Sequence, residues 1–167
     1  ASAGIDKKRI RLLLNTHEHM DHIGNNARLV RETGCVVAAQ GRHAAWIEDH
    51  DLGARQMVLR YPDVEPLFDP APEYLDWMEA EEAPVNIHLS EGNLINLGGG
   101  VELEVLELPG HSLSEIGFYE RSSDTLVFGD ATEVVMGLVD MLSQREQLAQ
   151  EGLGRLVVAG LPADQRQ

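Results

Sequence analysis

Ile10-Arg11-Leu12-Leu13-Leu14-Asn15-Thr16-His17-Glu18-His19-Met20-Asp21-His22 is the stretch that decides how the rest of the chain reads. Its first part, apolar from Ile10 to Leu14 apart from Arg11, predicts a β-strand buried on both faces. Asn15-Thr16 ends the run, and a polar loop rich in histidine follows. Three imidazoles and a carboxylate, all between His17 and His22, form a compact set of borderline and hard metal ligands. Alternate residues of an extended segment point to one side, so His17 and His19 can reach one ion. Asp21 and His22 lie past the bend, where they can serve a neighbouring ion. A strand end is a rigid mount for such a site. Solvated loop histidines are the plain alternative, yet nothing in folding alone requires three imidazoles this close together.

On the C-terminal side, Asn25 to Glu32 reads as a short helix carrying Ala27, Leu29 and Val30, with Gly34 as its stop. Cys35 to Ala39 reads as a second buried strand, so strand, helix and strand make a parallel crossover unit. Arg42 to Glu48 and Ala54 to Tyr61 look helical, after which Pro62, Pro66, Pro70, Pro72 and Pro84 interrupt any regular pattern. Glu73 to Glu82 is acidic, with Tyr74, Leu75, Trp77 and Met78 as the apolar face of a solvated helix. The second half reads as β-rich. Asn93 to Leu97 is a short strand, and Val101 to Leu108 alternates apolar and acidic residues as a half-exposed strand should. Ile116 to Tyr119 and Thr125 to Phe128 flank Arg121-Ser122-Ser123-Asp124, a hairpin turn. A helix from Gly137 to Gln150, a buried strand from Leu156 to Ala159 and a frayed Pro162 to Gln167 complete the pattern. No repeat is visible, and residues 1–167 read as one layered α/β domain.

Two later features match the first cluster. Leu108-Pro109-Gly110-His111-Ser112 puts a histidine in a turn after the alternating strand, and Phe128-Gly129-Asp130 puts a carboxylate after another. Either alone is weak, since a loop His or Asp is more often a cap or a solvated residue. Both lie just beyond strand ends, as the first cluster does. Six candidate ligands then come from three loops at one edge of the sheets.

In order and approximate spacing, His17-x-His19-x-Asp21-His22, Pro109-Gly110-His111 and Gly129-Asp130 resemble the metallo-β-lactamase superfamily. The resemblance runs from about Ile10 to Gly160. It implies an αββα sandwich with one or two metal ions at one edge of the sheets, zinc by default and iron or manganese as alternatives. His17, His19 and His111 would hold the first ion, Asp21 and His22 the second, and Asp130 would bridge them. The chain departs from the family twice. A further histidine is expected near the C-terminus, but Val157-Val158-Ala159-Gly160-Leu161-Pro162 places Leu161 there, so the second site lacks one protein ligand. Only about nine residues precede the first strand, where the family has several strands. The expectation is a first sheet incomplete in a truncated or minimal member, covered by a homodimer partner.

His43, His50 and His88 fall in helical or irregular segments without a ligand partner, and surface or capped positions are expected for them. Cys35 reads as a small buried hydrophobe. Arg42 and Arg121 read as solvated surface residues, with binding of an acidic substrate as the alternative.

Composition sets the outer limits. The 167 residues are 43% hydrophobic and 25% charged, with 16 Gly and 7 Pro, which excludes disorder and fibrous repeats. Thirteen basic against twenty-eight acidic residues give a net charge of −15, which argues against nucleic acid and anionic membranes as partners. The single cysteine excludes an intrachain disulfide. With no span-length apolar run and no recognisable signal peptide, a cytoplasmic protein is expected. The function expected is metal-dependent hydrolysis of a small molecule, metal-bound hydroxide attacking an ester, thioester, lactone or amide-like group, with phosphoesters also open. Asp21 would be the catalytic residue, orienting the nucleophile or carrying a proton. Two alternatives stand beside it: a mononuclear iron dioxygenase of the persulfide type, which needs only two histidines and a carboxylate, and a non-catalytic or degenerate metal-binding domain.

Overall fold

The structure is a computed structural model, which describes residues 6–60 and 81–132. The chain divides into two compact units, the first ending at His88 and the second beginning at Leu89.

In the first unit, β1 covers only Leu12–Leu14, preceded by a 3-10 turn over Lys7–Arg9 that the Asp6 carboxylate caps by accepting from the Lys8 amide. After the His-rich loop come α1 (Met20–Ile23), α2 (Asn26–Thr33) and β2 (Val36–Gln40). Strand β1 pairs parallel to β2, Leu12 opposite Val36 and Leu14 opposite Ala38, as the strand–helix–strand reading requires. The expectation that β1 is buried on both faces is corrected: all three of its leucines are half-buried. The sheet order β1-β2-β3, with β3 at Ile87–Leu89, explains why. The middle strand takes full cover, from Val37 to Gln40, and β1 lies at the edge of the described sheet.

Helix α2 stops at Gly34, whose φ of 69° is left-handed and open to glycine at no steric cost. A second 3-10 turn, Gly41–His43, leads into α3 (Ala44–Glu48), and α4 spans His50–Arg60, starting earlier than its sequence suggests. The Asp49 carboxylate accepts from the Leu52 amide at 2.8 Å, an N-cap that moves the start forward. Gly53 lets α4 approach α3, since a Cβ there would sit 3.1 Å from the Trp46 carbonyl oxygen and 3.2 Å from Trp46 Cβ. The core joins Ile23, Val37, Ala39, Ala44, Ile47, Ala83 and Val85, with Leu13, Met20, Ala27 and Val30 packed against it.

Strand β3 is a correction, because His88 lies in it and not in a helical or irregular segment. Three residues are too few for a period-2 signal. Asn86 makes the strand: its amide donates to the Val37 carbonyl at 2.8 Å and its side-chain Oδ1 accepts from the Val37 amide at 2.9 Å. Cys35 is free and buried, as expected.

The second unit is an antiparallel meander of β4 (Leu94–Gly98), β5 (Val101–Glu107), β6 (Ile116–Glu120) and β7 (Thr125–Val127), in sheet order β4-β5-β6-β7. Val105 is fully buried, Leu103, Glu104, Leu106 and Glu107 are half-buried, and Val101 and Glu102 are exposed, so burial along β5 does not follow the alternation of apolar and acidic residues. The hairpin turn sits where expected. Asp124 there has a φ of 52°, a conformation Asp tolerates, and its carboxylate accepts from the Tyr119 hydroxyl at 2.7 Å. Leu108, Leu126, Phe128 and Ala131 form the local core, with Leu106 and Tyr119 against it.

No helix among the described residues is long and apolar enough to cross a membrane. The expected helix at Gly137 to Gln150, the strand at Leu156 to Ala159, Leu161, and all but the end of the acidic segment from Glu73 lie outside the described residues.

Candidate metal centre

In the first unit the loop after β1 is pinned at its root. The Asn15 amide donates to the Ala38 carbonyl at 2.9 Å, extending the sheet by one bond. The Asn15 and Asn26 side chains then exchange two hydrogen bonds, at 3.2 and 2.9 Å, with both residues buried. This amide clasp ties the end of β1 to the start of α2 and fixes the ends of the segment between them. Its only sequence signal was two asparagines eleven residues apart, which no pattern distinguishes from caps.

Between those ends the backbone is extended at His19 (φ −67°, ψ 144°), and alternation sends side chains to opposite sides. Glu18 goes inward, where its Oε1 accepts from His43 Nδ1 at 2.9 Å. The His43 ring in turn stacks on Trp46, centroids 3.9 Å apart and planes within 5°. His43 and His50 are both buried, which corrects the expectation of surface or capped positions for them. His88 is exposed, as expected.

His17 and His19 share the other side. His17 Nε2 and His19 Nδ1 lie 3.1 Å apart, with the rings edge to face. Two nitrogens bound to a tetrahedral zinc at the usual Zn–N length are separated by ~3.3 Å, so the pair fits the donor spacing of such an ion. Thr16 Oγ1 lies 3.2 Å from His17 Nδ1. With Nδ1–H donating to that hydroxyl, Nε2 carries the lone pair a cation needs. His19 is the N-cap residue of α1, its carbonyl accepting from the amides of His22 at 2.9 Å and Ile23 at 3.1 Å. That single turn folds His22 back until its ring centroid is 4.2 Å from that of His17. Gly24 ends the turn, where a Cβ would come within 2.9 Å of the Met20 carbonyl oxygen. Asp21 is exposed, its Oδ2 3.6 Å from His22 Nε2. All four first-loop candidates are thus gathered on one short segment.

The second unit brings the other two together. Its 108–115 loop is closed at the base by the Leu108 amide donating to the Glu115 carbonyl at 2.8 Å. His111 is exposed on that loop, and its Nε2 lies 3.5 Å from Asp130 Oδ2. Glu115 carries no sequence signal, yet it is fully buried. Its Oε1 accepts from the Ala131 amide at 2.7 Å. Burial pushes its carboxyl above the usual range, against the hydrogen bonds from the Ala131 and Asp130 backbone that favour the charged form.

The family model described as the metallo-beta-lactamase superfamily matches residues 1–149. The chain belongs to that superfamily. Among curated relatives, the hydroxyacylglutathione hydrolase of Polaromonas sp. is 28% identical over 132 residues, covering 79% of this chain and 37% of that protein. The hydroxyacylglutathione hydrolase of Rhodopseudomonas palustris is 29% identical over 154 residues, covering 92% of this chain and 45% of that protein. The chain therefore spans less than half the length of these relatives. Among solved structures, a metallo-beta-lactamase family protein from Thermus thermophilus superposes with a TM-score of 0.59 at 22% identity, covering 76% of this chain and 42% of that one. The mixed α/β architecture with two sheets is the metallo-beta-lactamase fold.

Proposed function

We propose that the chain is a metal-dependent hydrolase acting on a small molecule with an ester, thioester, lactone or amide-like bond. The convergence of His17 Nε2 and His19 Nδ1 to 3.1 Å is the observation that carries the reading. Borderline nitrogen donors at that spacing suit zinc, with iron or manganese as the other candidates. His17, His19 and His111 would hold the first ion, Asp21 and His22 a second, and Asp130 would serve both. Bound there, a divalent ion supplies a water acidified towards neutral pH and a Lewis acid for the substrate's carbonyl oxygen.

The remaining work falls to the chain's own residues. With Nδ1–H donating to it, Thr16 would hold the His17 tautomer, and the Glu18–His43 pair keeps Glu18 turned away from the donors on either side of it. Asp21, exposed beside His22, would orient the attacking water or carry a proton to the leaving group on its carboxylate. Names of the curated relatives narrow the substrate: a hydroxyacylglutathione is a thioester, so an acyl-glutathione is the first compound to try.

The test is elemental analysis of untagged protein purified without chelator, followed by thioester hydrolysis before and after chelation. One or two ions per chain, with hydrolysis lost on chelation and restored by zinc, is the expected result. Absence of metal with failure to reload overturns the proposal, and bound iron with oxygen uptake but no hydrolysis replaces it by oxidation.

A further inference from the structure

We propose that Glu115 is a positioning residue for Asp130, its carboxylate acting as a latch that holds the Gly129–Ala131 turn against the 108–115 loop. The inference deepens the metal reading above and rests on it. Glu115 is fully buried, and Oε1 accepts from the Ala131 amide at 2.7 Å, one residue beyond the Asp130 side chain. Its other end is fixed, because the Glu115 carbonyl closes the base of the loop that carries His111 by accepting from Leu108. One residue therefore ties together the two backbones from which His111 and Asp130 project, and those side chains approach to 3.5 Å.

Folding alone does not account for a carboxylate here. Oε2 has no hydrogen-bond partner among the described residues, and a buried oxygen left so is costly. A backbone amide in a turn can be satisfied by water or by a neutral side chain at lower cost. What a buried carboxylate adds is a short, directional bond that removes play from the turn, and play of about half an ångström is enough to spoil a ligand set.

The experiment compares Glu115→Gln, Glu115→Ala and Glu115→Asp by zinc affinity, read by competition with a chelating dye, and by hydrogen exchange of the Ala131 amide in metal-free protein. Glu115→Gln keeps an acceptor at the same reach but loses the charge that shortens the bond, so a fall of only about threefold in affinity, with the Ala131 amide still protected, is expected. Glu115→Ala loses the latch, and a ten- to hundredfold fall in zinc affinity is expected together with faster Ala131 exchange, at unchanged far-ultraviolet circular dichroism. Should the alanine variant fail to fold, Glu115→Asp, one methylene too short to reach Ala131, shows the same loss. Parental zinc affinity in the aspartate variant, or equal losses in the glutamine and aspartate variants, overturns the proposal. Failure of the parent to bind zinc would instead sink the metal reading, while Ala131 exchange would still decide whether the latch exists.

Discussion

Glu18 and His43 form a buried pair 2.9 Å apart, and the residues on either side of Glu18 in sequence are the two histidines whose nitrogens converge. The pair lies behind the loop, with Trp46 stacked on the imidazole. Removing the imidazole takes one partner away from a carboxylate held in the interior, which ordinarily costs more than the pair contributes. His43→Ala is expected to lower the unfolding free energy by about 3 kcal/mol in urea titration. A loss below about 0.5 kcal/mol would mean that water satisfies Glu18 instead.

The Asn15–Asn26 clasp makes a separate prediction. Each alanine substitution leaves the other buried amide without its partner, at about 1–3 kcal/mol. The double substitution removes both halves at once and should cost clearly less than the sum of the singles. A denaturation cycle measures the coupling directly, and strict additivity would show that the two amides act independently.

Loss of a donor from the converging pair should be felt in metal content before anything else. His19→Ala is expected to weaken zinc binding by at least ~100-fold, beyond what losing a supporting residue costs, and to reduce hydrolysis to the level of chelated parent. Dialysis against a chelator should leave the circular dichroism of that variant unchanged. Zinc retained by His19→Ala at parental affinity would remove His19 from the ligand set.

A pH-dependent prediction comes from the hairpin turn. Hydrogen bonds from Ser123 and Ser122 favour the ionised Glu120 carboxylate and hold its pKa at about 2, against 4.5 for the ordinary group. A depressed carboxyl stabilises the fold above its unfolded value and loses that contribution as pH falls towards its folded value. The melting-temperature advantage of the parent over Glu120→Gln should be constant above about pH 4.5 and fade between there and about pH 2. An advantage independent of pH across that window would place the stabilisation elsewhere.

The parallel crossover, the hairpin over Arg121–Asp124 and the shared side of His17 and His19 were legible in the sequence, because each rests on local chemistry. Apolar runs reveal strands, Gly34 reveals a helix stop, and His-x-His spacing reveals donors on one side of an extended chain. What could not be read has a common cause. Strand β3 exists because Asn86 meets Val37 across 49 positions, and β1 is only half-buried because β2 took the middle of the sheet. His43 looked like a surface residue until Glu18, 25 positions away, was found beside it.

The division follows from the range of the forces. The sequence by itself determined which residue types stand ready to hold an ion and which segments pair locally, since those depend on neighbours within a few positions. Only the tertiary structure decided which polar side chains would be buried, as Asn15, Asn26, Glu18 and Glu115 are. A buried polar group is tolerable only beside a partner, and that partner is supplied by a distant part of the chain.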